Sequence, residues 1–100
     1  MALLMPYGTI MSQGKKRPLT SFQIRAARGL VKWSAEDLAS HSSVSLRTIR
    51  RAELAERDTS MTAPNDSAIR TAFEAAGVEF IDENGGGPGV RLRKQHKKRT

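Results

Sequence analysis

Leu38-Ala39-Ser40-His41-Ser42-Ser43-Val44-Ser45-Leu46-Arg47-Thr48-Ile49-Arg50-Arg51-Ala52-Glu53 reads as two short helices joined by a tight turn. The spacing inside this stretch is a packing requirement. Ala39 is small, so a second helix can cross close over the first; Ser43, four residues on, sits at the turn; Ile49, six further, supplies the knob that fixes the crossing. At about 100° per residue, with Leu46 as zero, Ile49 and Ala52 fall near 300° and 240°. Arg47, Arg50 and Arg51 fall at about 100°, 40° and 140°, so all three point away from the core within one sector. Like charges gathered on a short helix repel one another, which points to an anionic partner for that face. An arginine fork matches the O6/N7 edge of guanine, and each good bidentate contact gives about 1–3 kcal/mol of discrimination.

Outward from this core the helical period continues in both directions. Thr20 or Ser21 can cap a helix in which Ile24, Ala27 and Val31 recur on one stripe. Arg28 falls inside that stripe and therefore needs a partner, while Trp33 plugs the edge of the core just beyond the helix. Ser34 reads as the next N-cap, with Glu36 and Asp37 in the first turn complementing the helix dipole and Ala35, Leu38, Ala39 and Ser42 on the inner face. Ser45 caps the helix from about Leu46 to Ala55. Residues 56–64 read as loop, and Asn65 or Asp66 starts a fourth helix with Ile69, Ala72, Phe73 and Ala76 inward and Gly77 as its stop. After Gly77 the period drops to two. Val78 and Phe80 share one face, Val90 and Leu92 another, and residues 84–89 form a Gly-rich loop, which predicts a β-hairpin over 78–93. A lone hairpin is marginal in water, so its apolar face must pack on the helices, on a second subunit, or on both.

Composition limits what such a domain can do. The chain has 100 residues, 38% hydrophobic and only 5% aromatic, which leaves a thin core and no room for a deep pocket. It carries 17 Lys+Arg against 10 Asp+Glu, for a net charge of +7. Residues 19–77 account for only +1 of this, and the two ends for +3 each, so the excess lies in the ends and favours general contact with a polyanion. There is no cysteine, hence no disulfide, thiolate metal site or thiol nucleophile. His41 and His96 are far apart and lack ligand spacing, so no metal is expected. No nucleophile elbow is present, and the Gly-rich loop opens no helix, so it fails as a phosphate loop. No apolar run is long enough for a membrane span, and the basic residues follow the apolar Met1–Met5 stretch, the wrong order for a secretory signal. Residues 1–19, with Pro6, Gly8, Gly14 and Pro18, read as a disordered basic arm, and 94–100 as a disordered basic tail. Met11 also reads as a translation start.

Residues 20–77 resemble the Cro/phage-repressor (Xre-type) helix-turn-helix family. The resemblance rests on Ala27-Arg28-Gly29-Leu30, Trp33-Ser34, Glu36-Asp37-Leu38-Ala39 and Val44 through Glu53. It implies a mainly α, four-helix lambda-repressor-like domain, followed here by the hairpin, whose second short helix of the pair reads the major groove. It also implies that Arg28 pairs with Glu53 as a structural ion pair. Leu46, Arg47 and Arg51, with Arg50 flanking, then face the bases, and Ser34, Ser45, Thr48 and Arg57 face phosphates. Four features depart from the family pattern. Ala35 replaces a phosphate-binding glutamine, leaving backbone N–H groups to serve there. Ser43 replaces the turn glycine. Leu54-Ala55-Glu56 replaces a glycine after Glu53, which allows the recognition helix an extra turn. A hairpin, offering an apolar face and an open edge as a dimer interface, stands where relatives have a fifth helix.

The expectation is therefore a sequence-specific double-stranded-DNA-binding transcriptional regulator, not an enzyme, without cofactor or metal. It acts as a repressor, as a homodimer on a palindromic operator, in the cytoplasm and on the nucleoid when bound. Three alternatives remain: an antitoxin that wraps a toxin and autoregulates its operon, a protein-interaction module on the same fold, and a non-specific basic binder relying on its tails.

Overall fold

Four capped helices followed by a short antiparallel hairpin make up the fold, and each start is set by a side chain that satisfies the orphan N–H groups of a first turn. The computed structural model describes residues 17–93. Helix α1 spans Ser21–Val31, and its N-cap Thr20 forms a reciprocal capping box with Gln23. Lys32 closes it in the left-handed conformation, φ 60°. Helix α2, Ala35–Ser42, has the same device in Ser34 and Asp37. Helix α3, Leu46–Leu54, is capped by Ser45. Helix α4 is Ala63–Ala75, capped by Thr62. Strands β1, Val78–Ile81, and β2, Gly89–Leu92, pair antiparallel with Val78 opposite Leu92 and Phe80 opposite Val90.

Leu19, Ile24, Ala27, Leu38, Val44, Ile49, Ala52, Ile69, Phe73 and Val78 form one buried cluster drawn from every helix and β1. Helix α2 packs on α3 and α4, α1 packs on α3 and on the hairpin, and α4 packs on β1. Trp33 closes the edge of this core. Its ring lies parallel to that of His41, centroids 4.2 Å apart, and stacks on Phe73 at 5.4 Å. Arg70, also buried, donates through Nη2 to the Arg17 carbonyl at 2.6 Å and lies over the Phe80 ring at 5.4 Å.

Several boundaries differ from the sequence-based expectation. Leu19, assigned there to the disordered arm, is only 2% exposed and its N–H donates to Asp66 Oδ1, so the folded domain begins before the Thr20 cap. Burying a leucine contributes about 1.5–3 kcal/mol, enough to hold the chain down at this point. The remaining residues of that arm, 1–16, and the tail 94–100 lie outside the described residues. Helix α4 starts earlier than Asn65 or Asp66 because Thr62 accepts from the Asn65 N–H, and Pro64 fits the first turn, where no intrahelical N–H is required. Ala76, expected inward, is exposed at the helix end, and Gly77 follows with φ 100° as the stop. Helix α3 ends at Leu54 without an extra turn, since Ala55 is extended.

The hairpin packs on helices α1 and α4. Cross-strand partners project to the same side, so Val78, Phe80, Val90 and Leu92 share one face rather than two. Val78 is fully buried and Phe80 and Val90 pack against the core, which removes most of that face as a dimer surface; Leu92 stays 51% exposed. Gln23 fixes the turn end of the hairpin, its Nε2 donating to the carbonyls of Gly89 at 3.1 Å and Ile81 at 3.3 Å. No helix of the described residues is long and apolar enough to cross a membrane.

Candidate nucleic-acid interface

The turn between α2 and α3 is built from serine side chains. Ser43 adopts φ 62° and ψ 20°, and its N–H donates to the Ala39 carbonyl. Ser42 Oγ donates to the Leu38 carbonyl at 2.7 Å and accepts from the Val44 N–H at 3.1 Å, satisfying groups that the reversal would otherwise leave open. Ser45 Oγ then accepts from the Thr48 N–H and opens α3.

Helix α3 is anchored by its inner face. Ile49, Ala52 and Glu53 are buried, and Leu46 is half-buried against the core, so Leu46 presents less surface outward than the arginines do. From α1, Arg28 binds the Glu53 carboxylate and Arg25 Nη1 donates to the Glu53 carbonyl. The last turn is thus held both by its side chain and by its backbone.

The outer face carries Arg47, Arg50 and Arg51, all exposed. They are not equivalent. Arg50 Nη2 lies 3.0 Å from Glu36 Oε2 on α2, whereas Arg47 and Arg51 make no ion pair or side-chain hydrogen bond among the described residues. Leu54 belongs to the same sector, seven residues after Arg47, and is 85% exposed. That exposure is readable from the helical wheel, yet Leu54 was not among the expected site residues.

Of the expected phosphate contacts, three lie at the entrances to α2 and α3. Ser34 Oγ accepts from the Asp37 N–H and its hydroxyl interacts with the Asp37 carboxylate, so this side chain is engaged within the cap. Ser45 Oγ donates to Thr48 Oγ1 at 2.9 Å, so in that pair the uncommitted hydrogen is on Thr48. The fourth, Arg57, stands apart. Its guanidinium pairs with Glu83 at 2.9 Å beside a cleft also lined by Arg17, Gln23 and Pro88, next to the hairpin loop. Among the described residues, no group of three or more His, Cys, Asp or Glu side chains could hold a metal ion. No protein-family model matches the chain, and a search of the curated proteins finds no match.

Proposed function

We propose that α2, the Ser43 turn and α3 are a helix-turn-helix of the Cro/phage-repressor (Xre) type, and that the protein is a sequence-specific double-stranded-DNA-binding transcriptional regulator. The observation that carries this reading is the pair of arginines, Arg47 and Arg51, without a partner among the described residues, on the outer face of a short helix whose inner face is fixed by Ile49, Ala52 and the Arg28–Glu53 pair. Such a helix is a rigid mount for two guanidinium forks, which suits base edges in a major groove. The Thr48 hydroxyl, with the first-turn N–H groups of α2 and α3, fixes register on phosphates. The basic residues of the two ends add affinity that carries no sequence information. The mechanism is binding alone, with repression following from occupancy of an operator.

A homodimer is part of this reading, because one such helix offers a small interface and paired half-sites lie about 34 Å apart. With Val78, Phe80 and Val90 turned to the core, the hairpin has its outer strand edges and Leu92 left for a second copy. Selection from random duplex DNA, followed by binding measurements across salt, tests the whole proposal. A palindromic site is expected, and Arg47→Ala relaxes preference at particular base pairs by about 1–3 kcal/mol. Equal binding of selected and random DNA at physiological salt overturns it.

One observation favours a second reading, a protein-interaction module on the same fold: Leu54 is 85% exposed between the arginines and Phe22 is 44% exposed on α1. That reading expects function to survive Arg47→Ala and to fail on Leu54→Ala.

A further inference from the structure

Glu36 lies in the first turn of α2, where its charge suits the helix dipole and acts at a distance on Arg28, but it takes no part in the capping box. In the first turn of α2 the capping work is done by Asp37, whose Oδ2 accepts from the Ser34 N–H at 2.9 Å. Glu36 instead turns toward α3 and meets Arg50 at 3.0 Å, fourteen residues along the chain. The Arg50 and Glu36 side chains are 56% and 64% exposed, and an ion pair so open to water contributes little to stability. What it does change is the charge of the outer face. Among the described residues Arg47 and Arg51 carry no counter-charge, while Arg50, turned about 60° from Arg47 toward α2, is paired with Glu36. An acid at the rim of a cationic surface works directly against a polyanionic partner, so beyond its part in α2 it changes how such a partner is bound.

We propose that Glu36 is a specificity-determining residue: by holding Arg50 it lowers the sequence-independent attraction to phosphate and leaves discrimination to Arg47 and Arg51. The inference rests on the DNA-binding reading above. A phosphate that recruits Arg50 must displace a carboxylate already at hydrogen-bond distance and accept a second negative charge beside it. On random DNA, phosphate contacts are nearly all that binding has, so losing one weighs fully. On a selected site the register set by the base contacts of Arg47 and Arg51 leaves Arg50 on Glu36, so the phosphate contact is withheld from random DNA alone and the ratio between the two affinities rises.

Glu36→Gln keeps the shape and an acceptor oxygen while removing the charge. Fluorescence anisotropy with labelled random duplex and with a selected site, from 50 to 200 mM salt, compares it with the wild type, Arg50→Gln and the double variant. Glu36→Gln is expected to bind random duplex about fivefold more tightly near 0.15 M salt, with a log–log salt slope steeper by about 0.9, as one added phosphate contact implies. The selected-to-random ratio falls. With Arg50 also replaced, the gain disappears. An equal gain with and without Arg50, or an unchanged ratio, overturns this inference while leaving the DNA-binding reading standing. No duplex binding by any of the four proteins overturns both. Matching melting temperatures are the control that the fold is untouched.

Discussion

Arg28 and Glu53 meet fork to fork across α1 and α3: Nε donates to Oε2 at 2.7 Å and Nη2 to Oε1 at 2.8 Å. The side chains are 25% and 10% exposed. Arg28 Nη1 also donates to the Trp33 carbonyl at 3.0 Å, so one guanidinium joins the end of α3 to the connection between α1 and α2. The hydrogen bonds to Glu53 raise the Arg28 pKa above its ordinary value, overcoming the opposite effect of burial. This pair answers the question that a charged residue on an apolar stripe poses, and it locks the helix that carries Arg47 and Arg51.

Glu53→Ala removes both acceptors and leaves a mostly buried cation. Breaking a fully buried pair is destabilising by about 3–5 kcal/mol. Arg28 retains the Trp33 carbonyl and some contact with water, so a loss of about 2–3 kcal/mol is expected, a fall in melting temperature of roughly 10–20 °C for a domain of this size. Thermal and urea unfolding measure it. A variant melting within a degree or two of the wild type would show that the pair is not structural.

Ser43 holds a left-handed conformation at an exposed position, where a residue with a Cβ is disfavoured by about 1 kcal/mol relative to glycine. Its contribution to the turn is its backbone N–H, which glycine supplies equally. Ser43→Gly is expected to raise stability by about 0.5–1 kcal/mol and the melting temperature by roughly 2–8 °C, whereas Ser43→Ala, which keeps the Cβ, gives no such gain. A lower melting temperature for Ser43→Gly would assign a task to the serine hydroxyl.

The helices were legible because their signals are local. Ile24 and Ala27, then Leu38, then Ile49 and Ala52, repeat at helical spacing, and Ser34 and Ser45 stand where caps belong. The need for an Arg28 partner was also legible, since a charge on an apolar stripe is a conflict that only tertiary structure resolves. What escaped the sequence reading is long-range pairing of polar groups, which leaves no period. Gln23 reads as an ordinary polar position, yet it caps α1 and binds two hairpin carbonyls 58 and 66 residues away. Its one local signature is the Thr20-x-x-Gln23 capping box. Arg70 lies beside Ile69 on an amphipathic helix, and nothing in the pattern announces that it is buried against Phe80 and the Arg17 carbonyl. On the candidate interface the wheel gave the direction of three arginines but not their charge state as a surface: Glu36 neutralises one of them across a turn, and only the crossing of α2 over α3 brings the two together.

The capping box of α2 makes a prediction about acid. Asp37 accepts from the Ser34 backbone N–H and also interacts with its hydroxyl, and these bonds, with a smaller contribution from the charge of His41, hold its pKa below the ordinary value. A carboxyl group whose pKa is lower in the folded than in the unfolded chain stabilises the fold as its anion. That stabilisation is fully present above the unfolded value, about 3.9, and is lost as pH falls through the folded value. Asp37→Asn retains an acceptor for the Ser34 N–H but does not titrate and brings no charge to the helix N-terminus. The stability difference between wild type and Asp37→Asn, measured by urea unfolding at a series of pH values, is therefore expected to shrink as pH falls below about 4. A difference that persists unchanged to about pH 2 would mean that the carboxylate is not what caps α2. The loop carrying Ser43 and the entry to α3 follow directly from this helix, so the same acid titration, followed by amide exchange at Val44 and Thr48, reports whether the mount for Arg47 and Arg51 loosens with the cap or independently of it.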